Sequence, residues 1–287
     1  MRPSGRSVVC GIIGDPIEHS MSPSMQNAAF EAAHLDWVYV AFHVAKGSAE
    51  SCTRAMKTMG IRGLNVTVPH KIDILPFLDS VDGTARRIGA VNTIVNNKGA
   101  LHGYNTDAEG FVRALDAHGV DASHKPVVLM GAGGAARAVA YSLADKGAHL
   151  VILNRTRERA ASLASEVATA MGAVVQHGTL DAASLEELLP TASLLVNTTS
   201  AGMTPQDNQS PCPEHLLHPK LTVCDIVYNP RRTLLLRQAA ARGARTIEGV
   251  DMLVWQGAIA FELWTGLKAP IGIMRATVEE ELSRATV

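Results

Sequence analysis

The sequence predicts an α/β protein of two domains, one of them a Rossmann-type doubly wound parallel sheet. Three observations carry this. Short β-branched runs alternate with Ala-rich amphipathic stretches, the pattern of strands joined by crossover helices. The 287 residues amount to about two domains at roughly 150 residues each. Near the middle, a glycine-rich turn joins an apolar run to an Ala-rich stretch, at Gly131-Ala132-Gly133-Gly134-Ala135-Ala136.

Each element has a local cause. Val8 to Ile13 is an apolar run stopped by Gly14-Asp15-Pro16. Ser22-Pro23 reads as an N-cap followed by Pro at the first helical position, opening a helix from Ser24 to about Ala33. Trp37 to Phe42 reads as a strand, Ser48 to Met59 as a helix, and Gly63 to Val68 as a strand ended by Pro69, which cannot donate to a ladder. Ala90 to Val95 and Ala100 to Tyr104 flank Asn96-Asn97-Lys98-Gly99, a hairpin signal because Asn and Gly accept positive φ. A helix follows over about Ala108 to His118, and the polar stretch from His118 to Pro126 marks a junction. Beyond it the strands are Val127 to Met130, His149 to Leu153, Ala173 to Gln176, Leu194 to Asn197, Thr222 to Val227 and Arg245 to Glu248. Met203 to Pro219, rich in Pro, Gln, Asn and Asp, reads as a mobile loop, and two helical patterns, Met252 to Thr265 and Ile273 to Ala285, close the chain.

Composition excludes several classes. Lys plus Arg is 26 against 27 Asp plus Glu, a net charge of -1, with Arg2 to Arg6 the only terminal hint of a basic cluster. A nucleic-acid binder normally carries a basic excess or stripe. A membrane span needs about 20 nearly uninterrupted apolar residues, and there is no such run. The opening stretch to Asp15 is too short in apolar residues for a signal peptide. Cys10, Cys52, Cys212 and Cys224 are far apart and read as small core residues, and the 11 histidines show no H-x-x-x-H spacing. The expectation is a cytoplasmic chain with a small-molecule substrate and no metal, nucleic-acid or membrane partner; its assembly stays open between a monomer and a homodimer.

The glycine turn fits G-x-G-x-x-G/A, with Ala136 third. Alone the pattern is weak, and the bland reading is a tight strand-to-helix turn. Here it sits between a strand and a helix that closes at Lys146-Gly147, with a second strand after it, which completes a βαβ unit. Small residues let the backbone approach a pyrophosphate, and the helix N-terminus supplies N–H donors and partial positive charge. After the second strand comes Asn154-Arg155-Thr156-Arg157, with no acid until Glu158. An NAD site usually carries an acid there for the ribose 2′-hydroxyl; a guanidinium suits a 2′-phosphate. The bland reading is a solvated helix start, but cations there oppose the helix dipole. NADP is the expected cofactor.

In the first half, polar residues stand where strands end, the place where open α/β sheets put ligands. Singly each has a plain reading: Ser22 and Asp107 as N-caps, Asn65 and Asn92 as turn residues, Lys71 as a surface charge. Together, Gly14-Asp15-Pro16-Ile17-Glu18-His19-Ser20-Met21-Ser22-Pro23, Asn65-Val66-Thr67-Val68-Pro69-His70-Lys71, Gly89-Ala90-Val91-Asn92-Thr93 and Asn105-Thr106-Asp107 resemble shikimate dehydrogenase. So do Gly131 to Ala138, Asn154-Arg155-Thr156, Tyr228-Asn229-Pro230 and Gly249 to Gln256, in the family's order over about residues 11–266.

The resemblance implies reversible, NADP-dependent reduction of 3-dehydroshikimate to shikimate, in the pathway to chorismate and aromatic amino acids. It implies an α/β substrate-binding catalytic domain over 1–107 and 246–287, formed by the N-terminal part and the C-terminal helices, and an NADP-binding Rossmann domain over 108–245. Carried over, Ser20, Ser22 and Tyr228 hold the substrate carboxylate, Thr67, Asn92, Asp107 and Gln256 bind ring hydroxyls, and Lys71 is the catalytic residue paired with Asp107. The cofactor set is Gly131, Ala132, Gly133, Gly134, Ala135, Asn154, Arg155 and Thr156, with Ile226 and Gly249. His70 stands where the family often has an aromatic residue, and Gly83 where some members have an acid; the segment from Gln206 to Pro213 carries no role.

The mechanism also follows from the residues: reducing a ring ketone needs hydride and a proton, which Lys71 can supply while Asp107 orients it. The rivals are a quinate/shikimate dehydrogenase of broader substrate or NAD use, a relative acting on an amino-substituted ring, a methylenetetrahydrofolate dehydrogenase, whose pattern the substrate strings do not fit, and a non-catalytic dinucleotide-binding regulator. Arg155 argues against NAD preference, and Lys71 with Asp107 argues for an enzyme.

Overall fold

The computed structural model describes residues 3–284; Arg2 of the terminal basic cluster and Ala285 of the last expected helix lie outside them. The chain forms two compact units, one running to Asp107 and resuming over Val254–Arg284, the other spanning Ala108–Leu253. Both divisions fall inside helices. The polar stretch from His118 to Pro126, read as a junction, lies instead within the second unit, as the loop that leads into the strand beginning at Pro126.

In the first unit the order is β1 (Val8–Gly14), α1 (Ser22–Ala32), β2 (Trp37–His43), α2 (Ala49–Thr58), β3 (Gly63–Val66), α3 (His70–Asp73), β4 (Ser80–Val81), α4 (Gly83–Ile88), β5 (Thr93–Asn97), β6 (Ala100–Tyr104) and the start of α5 (Thr106–Ala117). The strands lie in the order β2-β1-β3-β5-β6-β4. β1 runs parallel to β2 and β3, but β5 is antiparallel to both β3 and β6. The sheet is therefore mixed rather than parallel, because the β5–β6 hairpin reverses the chain without a crossover. Asn97 pairs with Ala100, which leaves Lys98 and Gly99 as a two-residue turn with φ of 54° and 95°, the handedness that matches strand twist. The Asn96 side chain accepts from Gly99 N–H (2.7 Å) and donates to the carbonyls of Met56 and Ile61, which ties the hairpin to the end of α2.

The second unit continues with β7 (Pro126–Met130), α6 (Gly134–Asp145), β8 (His149–Asn154), α7 (Arg157–Met171), β9 (Val175–Thr179), α8 (Ala182–Leu188), β10 (Leu194–Asn197), β11 (Thr222–Asp225), α9 (Leu234–Ala241) and β12 (Arg245–Ile247). All its strands are parallel, in the order β12-β11-β10-β7-β8-β9. This is the 3-2-1-4-5-6 order of doubly wound dinucleotide folds. Val127 to Met130 and Leu194 to Asn197 are buried throughout, as central parallel strands covered on both faces must be.

α10 (Gly249–Thr265) and α11 (Ile271–Arg284) end the chain. Within the first unit, α10 is seated by Trp264, 1% exposed. Its indole donates to the Ile94 carbonyl (3.0 Å), while the Arg62 guanidinium donates to the Trp264 carbonyl. Gly63 makes room: a Cβ there would come within 2.1 Å of the indole nitrogen.

Several boundaries move. β3 stops at Val66 and β11 at Asp225, so Thr67, Val68 and Ile226 lie past the strand ends. The strand expected from Ala90 begins at Thr93, and the one expected from Ala173 begins at Val175. The 203–219 stretch is not uniformly loose, since Cys212 and Leu217 are buried in the second unit's core. Among the described residues, no helix is long and apolar enough to cross a membrane, and no group of His, Cys, Asp and Glu could hold a metal ion.

Candidate active site

In the first unit, the one-turn helix α3 follows β3 and presents Lys71, while the first turn of α5 presents Asp107. The Lys71 ammonium donates to Asp107 Oδ2 at 2.6 Å, with side chains 13% and 8% exposed. The surface-charge reading of Lys71 is thus wrong, and so is the N-cap reading of Asp107: the helix has already begun at Thr106.

Asn92, just before β5, completes the carboxylate. Its Nδ2 donates to Asp107 Oδ1 (2.8 Å) and to Thr106 Oγ1 (2.9 Å), and its Oδ1 accepts from Thr106 N–H (2.7 Å) and Thr93 Oγ1 (3.1 Å). The chain of bonds continues inward. Asn65 Nδ2 donates to Thr93 Oγ1 (3.0 Å), and Asn65 Oδ1 accepts from the Tyr39 hydroxyl (2.6 Å). Burial pushes the Tyr39 phenol well above its ordinary range, and the Ser22 hydroxyl beside it opposes that rise. Polar groups buried in this way keep their places because leaving any one unpaired costs about 1–3 kcal/mol. Sequence reasoning passed over Tyr39 and set Asn65, Thr93 and Thr106 among the polar residues at strand ends without giving them a site role; that run of polar side chains was the available signal.

Ser22 is the first residue of α1, with Met21 in the cap position and no side-chain cap bond. Pro23 therefore sits in the second helical position, and the expected N-cap role of Ser22 is corrected. Ser22 N–H donates to Ser20 Oγ at 3.3 Å. Thr67 is half-buried just past β3, its methyl packed where a Cβ on Gly14 would otherwise stand. Gln256 lies on α10 beside Gly257, whose bare Cα admits Met25 of α1: a Cβ there would come within 2.3 Å of the Met25 methyl. Gln26 Nε2 donates to the Gly257 carbonyl at 2.9 Å, which fixes that turn of α10. Tyr228 belongs to the second unit, and burial raises its phenol above the ordinary value.

The cofactor candidates gather at the carboxyl ends of β7, β8 and β11. Gly131 has φ of +112°, and a Cβ on it would come within 2.4 Å of Thr198 Oγ1, so only glycine fits between β7 and the end of β10. Gly133 is the N-cap of α6, with open space where a Cβ would be, no side-chain cap bond and no acid in the first turn. The first N–H groups of α6 are thus left for an anion. Ala132, Gly134 and Ala135 are half-buried around them. Asn154 ends β8 and donates to the Thr156 carbonyl (2.9 Å), bracing the turn. Thr156 stands in the cap position of α7 without a side-chain cap bond, and Arg155 is exposed between the two. Gly249 opens α10 against the carbonyls of Ile226 and Val227, 2.5 Å from where its Cβ would be. These features fit a dinucleotide with an added phosphate.

A doubly wound nucleotide unit, in one chain with a unit bearing a buried lysine–carboxylate pair, defines a dinucleotide-dependent oxidoreductase. Family models match for the shikimate dehydrogenase substrate binding domain over residues 12–94, shikimate/quinate 5-dehydrogenase over 114–227, and the shikimate 5′-dehydrogenase C-terminal domain over 249–279. Shikimate dehydrogenase (NADP(+)) of Moorella thermoacetica is 48% identical over 277 residues, 96% of this chain and 94% of that protein. A crystal structure of shikimate dehydrogenase in complex with NADP+ superposes with a TM-score of 0.93 at 40% identity, covering 98% of each chain. Shikimate 5-dehydrogenase from Thermus thermophilus, in complex with NADP(H) and shikimate, gives 0.86 at 37% identity, covering 95% of this chain and 99% of that one. The chain belongs to the shikimate dehydrogenase family.

Proposed function

We propose that this protein catalyses the reversible, NADP-dependent reduction of 3-dehydroshikimate to shikimate, on the pathway to chorismate. The observation that carries the reading is the Lys71–Asp107 pair at 2.6 Å, buried and held by Asn92. The bound nicotinamide supplies the hydride. Lys71 Nζ donates the proton that the ketone oxygen needs as charge develops on it, and takes it back in the reverse direction. Asp107 holds the ammonium with one oxygen and is itself held by Asn92 through the other, so the proton donor is placed before the substrate arrives. Ser20, Ser22 and Tyr228 offer hydroxyl donors to the substrate carboxylate, while Thr67, Asn92 and Gln256 meet the ring hydroxyls. Arg155 takes the 2′-phosphate by charge-assisted bonds, and the Gly131–Ala135 turn takes the pyrophosphate.

In this reading the first unit is the substrate-binding catalytic domain and the second the NADP-binding domain; the boundary expected at 246 moves to Val254, because β12 pairs in the second unit's sheet and that unit runs to Leu253. The four free cysteines fit a reducing compartment, and we place the enzyme in the cytoplasm. Assembly stays open between one chain and a homodimer, and a light-scattering mass decides between them. Steady-state assays with shikimate and quinate, each with NADP and NAD, test the reading. The highest kcat/KM is expected for shikimate with NADP, and a preference for quinate or NAD would overturn it.

A further inference from the structure

We propose that Asp225 is a positioning residue for substrate binding: its carboxylate fixes the backbone of Ile226–Tyr228 and the turn after β10, and so holds the Tyr228 side chain in place for the substrate. β11 ends at Asp225, which has no exposed surface. Oδ1 accepts from Asn197 Nδ2 (2.9 Å) and Val227 N–H (3.0 Å), and Oδ2 accepts from Thr233 Oγ1 (2.7 Å). Thr233 also caps α9 through Leu236 N–H, so the carboxylate sits at both ends of the 226–233 connection. Asn197 passes the constraint on: its Oδ1 accepts from Thr199 N–H (3.0 Å) and Thr199 Oγ1 (2.7 Å), and its carbonyl accepts from Ile226 N–H (3.0 Å). On another side, the bare Cα of Gly249 presses on the carbonyls of Ile226 and Val227. The segment leading to Tyr228 is thus pinned at one end and pressed along its backbone.

No cationic side chain among the described residues pairs with this carboxylate, and burial pushes it up to about 6. A buried acid held only by neutral donors is costly, and apolar packing would serve stability better. What the acid supplies instead is directed acceptors at the carboxyl ends of two neighbouring parallel strands, where doubly wound sheets bind ligands. The inference rests on the proposed reaction and on Tyr228 as a group that meets the substrate.

The test is steady-state kinetics of the full-length enzyme. Asp225→Ala is expected to raise the shikimate KM about 10-fold, the lower end of what bonds to a charged group are worth, with kcat much less affected. Asp225→Asn keeps an oxygen for the Asn197 and Val227 donors and is expected to restore a near wild-type KM. In a Tyr228→Phe background, Asp225→Ala should add little further, because both act through one side chain. A purely structural role would lower the melting temperature and the active fraction at unchanged KM. The inference is overturned by an unmoved KM in Asp225→Ala, by failure of Asn to restore it, or by effects that multiply with Tyr228→Phe. If circular dichroism shows Asp225→Ala unfolded, Asn197→Ala takes its place under the KM and Tyr228→Phe criteria. A wild-type enzyme that does not turn over shikimate would remove the proposed reaction itself; turnover with an unmoved KM removes Asp225 alone.

Discussion

The two units prepare their functional groups in opposite ways. In the first, Lys71, Asp107 and Asn92 are largely buried and joined to one another, so each polar atom is placed by a neighbouring side chain. In the second, Gly133 and Arg155 face outward, and shape comes from the backbone: a glycine at φ +112°, an uncapped helix start, and a loop set by a carboxylate behind it. Two of the buried acids, Asp107 and Asp225, express the same contrast. Asp107 is matched by a cation at 2.6 Å, whereas Asp225 has only neutral donors. A group that exchanges a proton needs a charged partner to hold it in place; a group that holds a loop needs only directed acceptors. Phosphate recognition needs donors kept unsatisfied until the ligand comes.

Lys71 is the sharpest place to break the contrast. Lys71→Ala is expected to lower kcat by about 10²–10⁴-fold, the usual worth of a positioned acid or base, with a smaller loss in substrate binding. Asp107→Asn should also lower kcat, and the double variant should lose less than the sum in free energy if the pair acts as one unit. A normal kcat at saturating shikimate in Lys71→Ala would reduce the pair to a binding device.

Asp225 should show its lack of a cation in the pH dependence of stability. Its folded value of about 6 lies above the ordinary 3.8, so the native state holds the proton more tightly than the unfolded chain does. The resulting contribution is complete below pH 3.8 and is lost as pH rises through about 6. The loss approaches roughly 3 kcal/mol by neutral pH. Asn cannot titrate. In urea unfolding, Asp225→Asn should therefore gain on wild type between pH 4 and 7; parallel curves would show that the acid is better compensated than its partners suggest.

Arg155 tests the outward-facing region. Arg155→Ala should remove charge-assisted bonds worth about 1.5–3 kcal/mol, weakening NADP by roughly one to two orders of magnitude and NAD little. Titration of both cofactors decides it, and equal losses would make Arg155 structural.

Legibility followed the same divide. The βαβ unit from Val127 to Asn154 could be read directly, because a strand buried on both faces is an unbroken apolar run and the glycine turn needs few side chains. The Lys71–Asp107 pair could not be read from pattern, since only sheet pairing brings those distant residues together; the family resemblance supplied it. Asp225, Asn197 and Thr233 escaped for a related reason. Each looks like an ordinary strand-end or cap residue, and their convergence depends on β10 and β11 being neighbours. Short helices went unread even where their caps were visible, as with Asp82 before α4 and Asp181 before α8, because one or two turns show too little periodicity.

The smallest expected effect falls on the serines that open α1. With Met21 in the cap position, Ser22→Ala removes no capping bond, so helix stability should change little. What it removes is a buried hydroxyl beside the Tyr39 phenol. Ser20→Ala removes the oxygen that accepts from Ser22 N–H. If both hydroxyls serve the substrate carboxylate, each substitution should raise the shikimate KM by an amount typical of one hydrogen bond, about 0.5–1.5 kcal/mol or roughly 2- to 10-fold. The NADP KM should stay within error, because these residues belong to the unit without the glycine turn. Paired measurement of both KM values and the melting temperature separates the outcomes. A lower melting temperature at constant KM in Ser22→Ala would restore a structural role for that hydroxyl, and an unchanged shikimate KM in a folded Ser20→Ala enzyme would take Ser20 out of the carboxylate site.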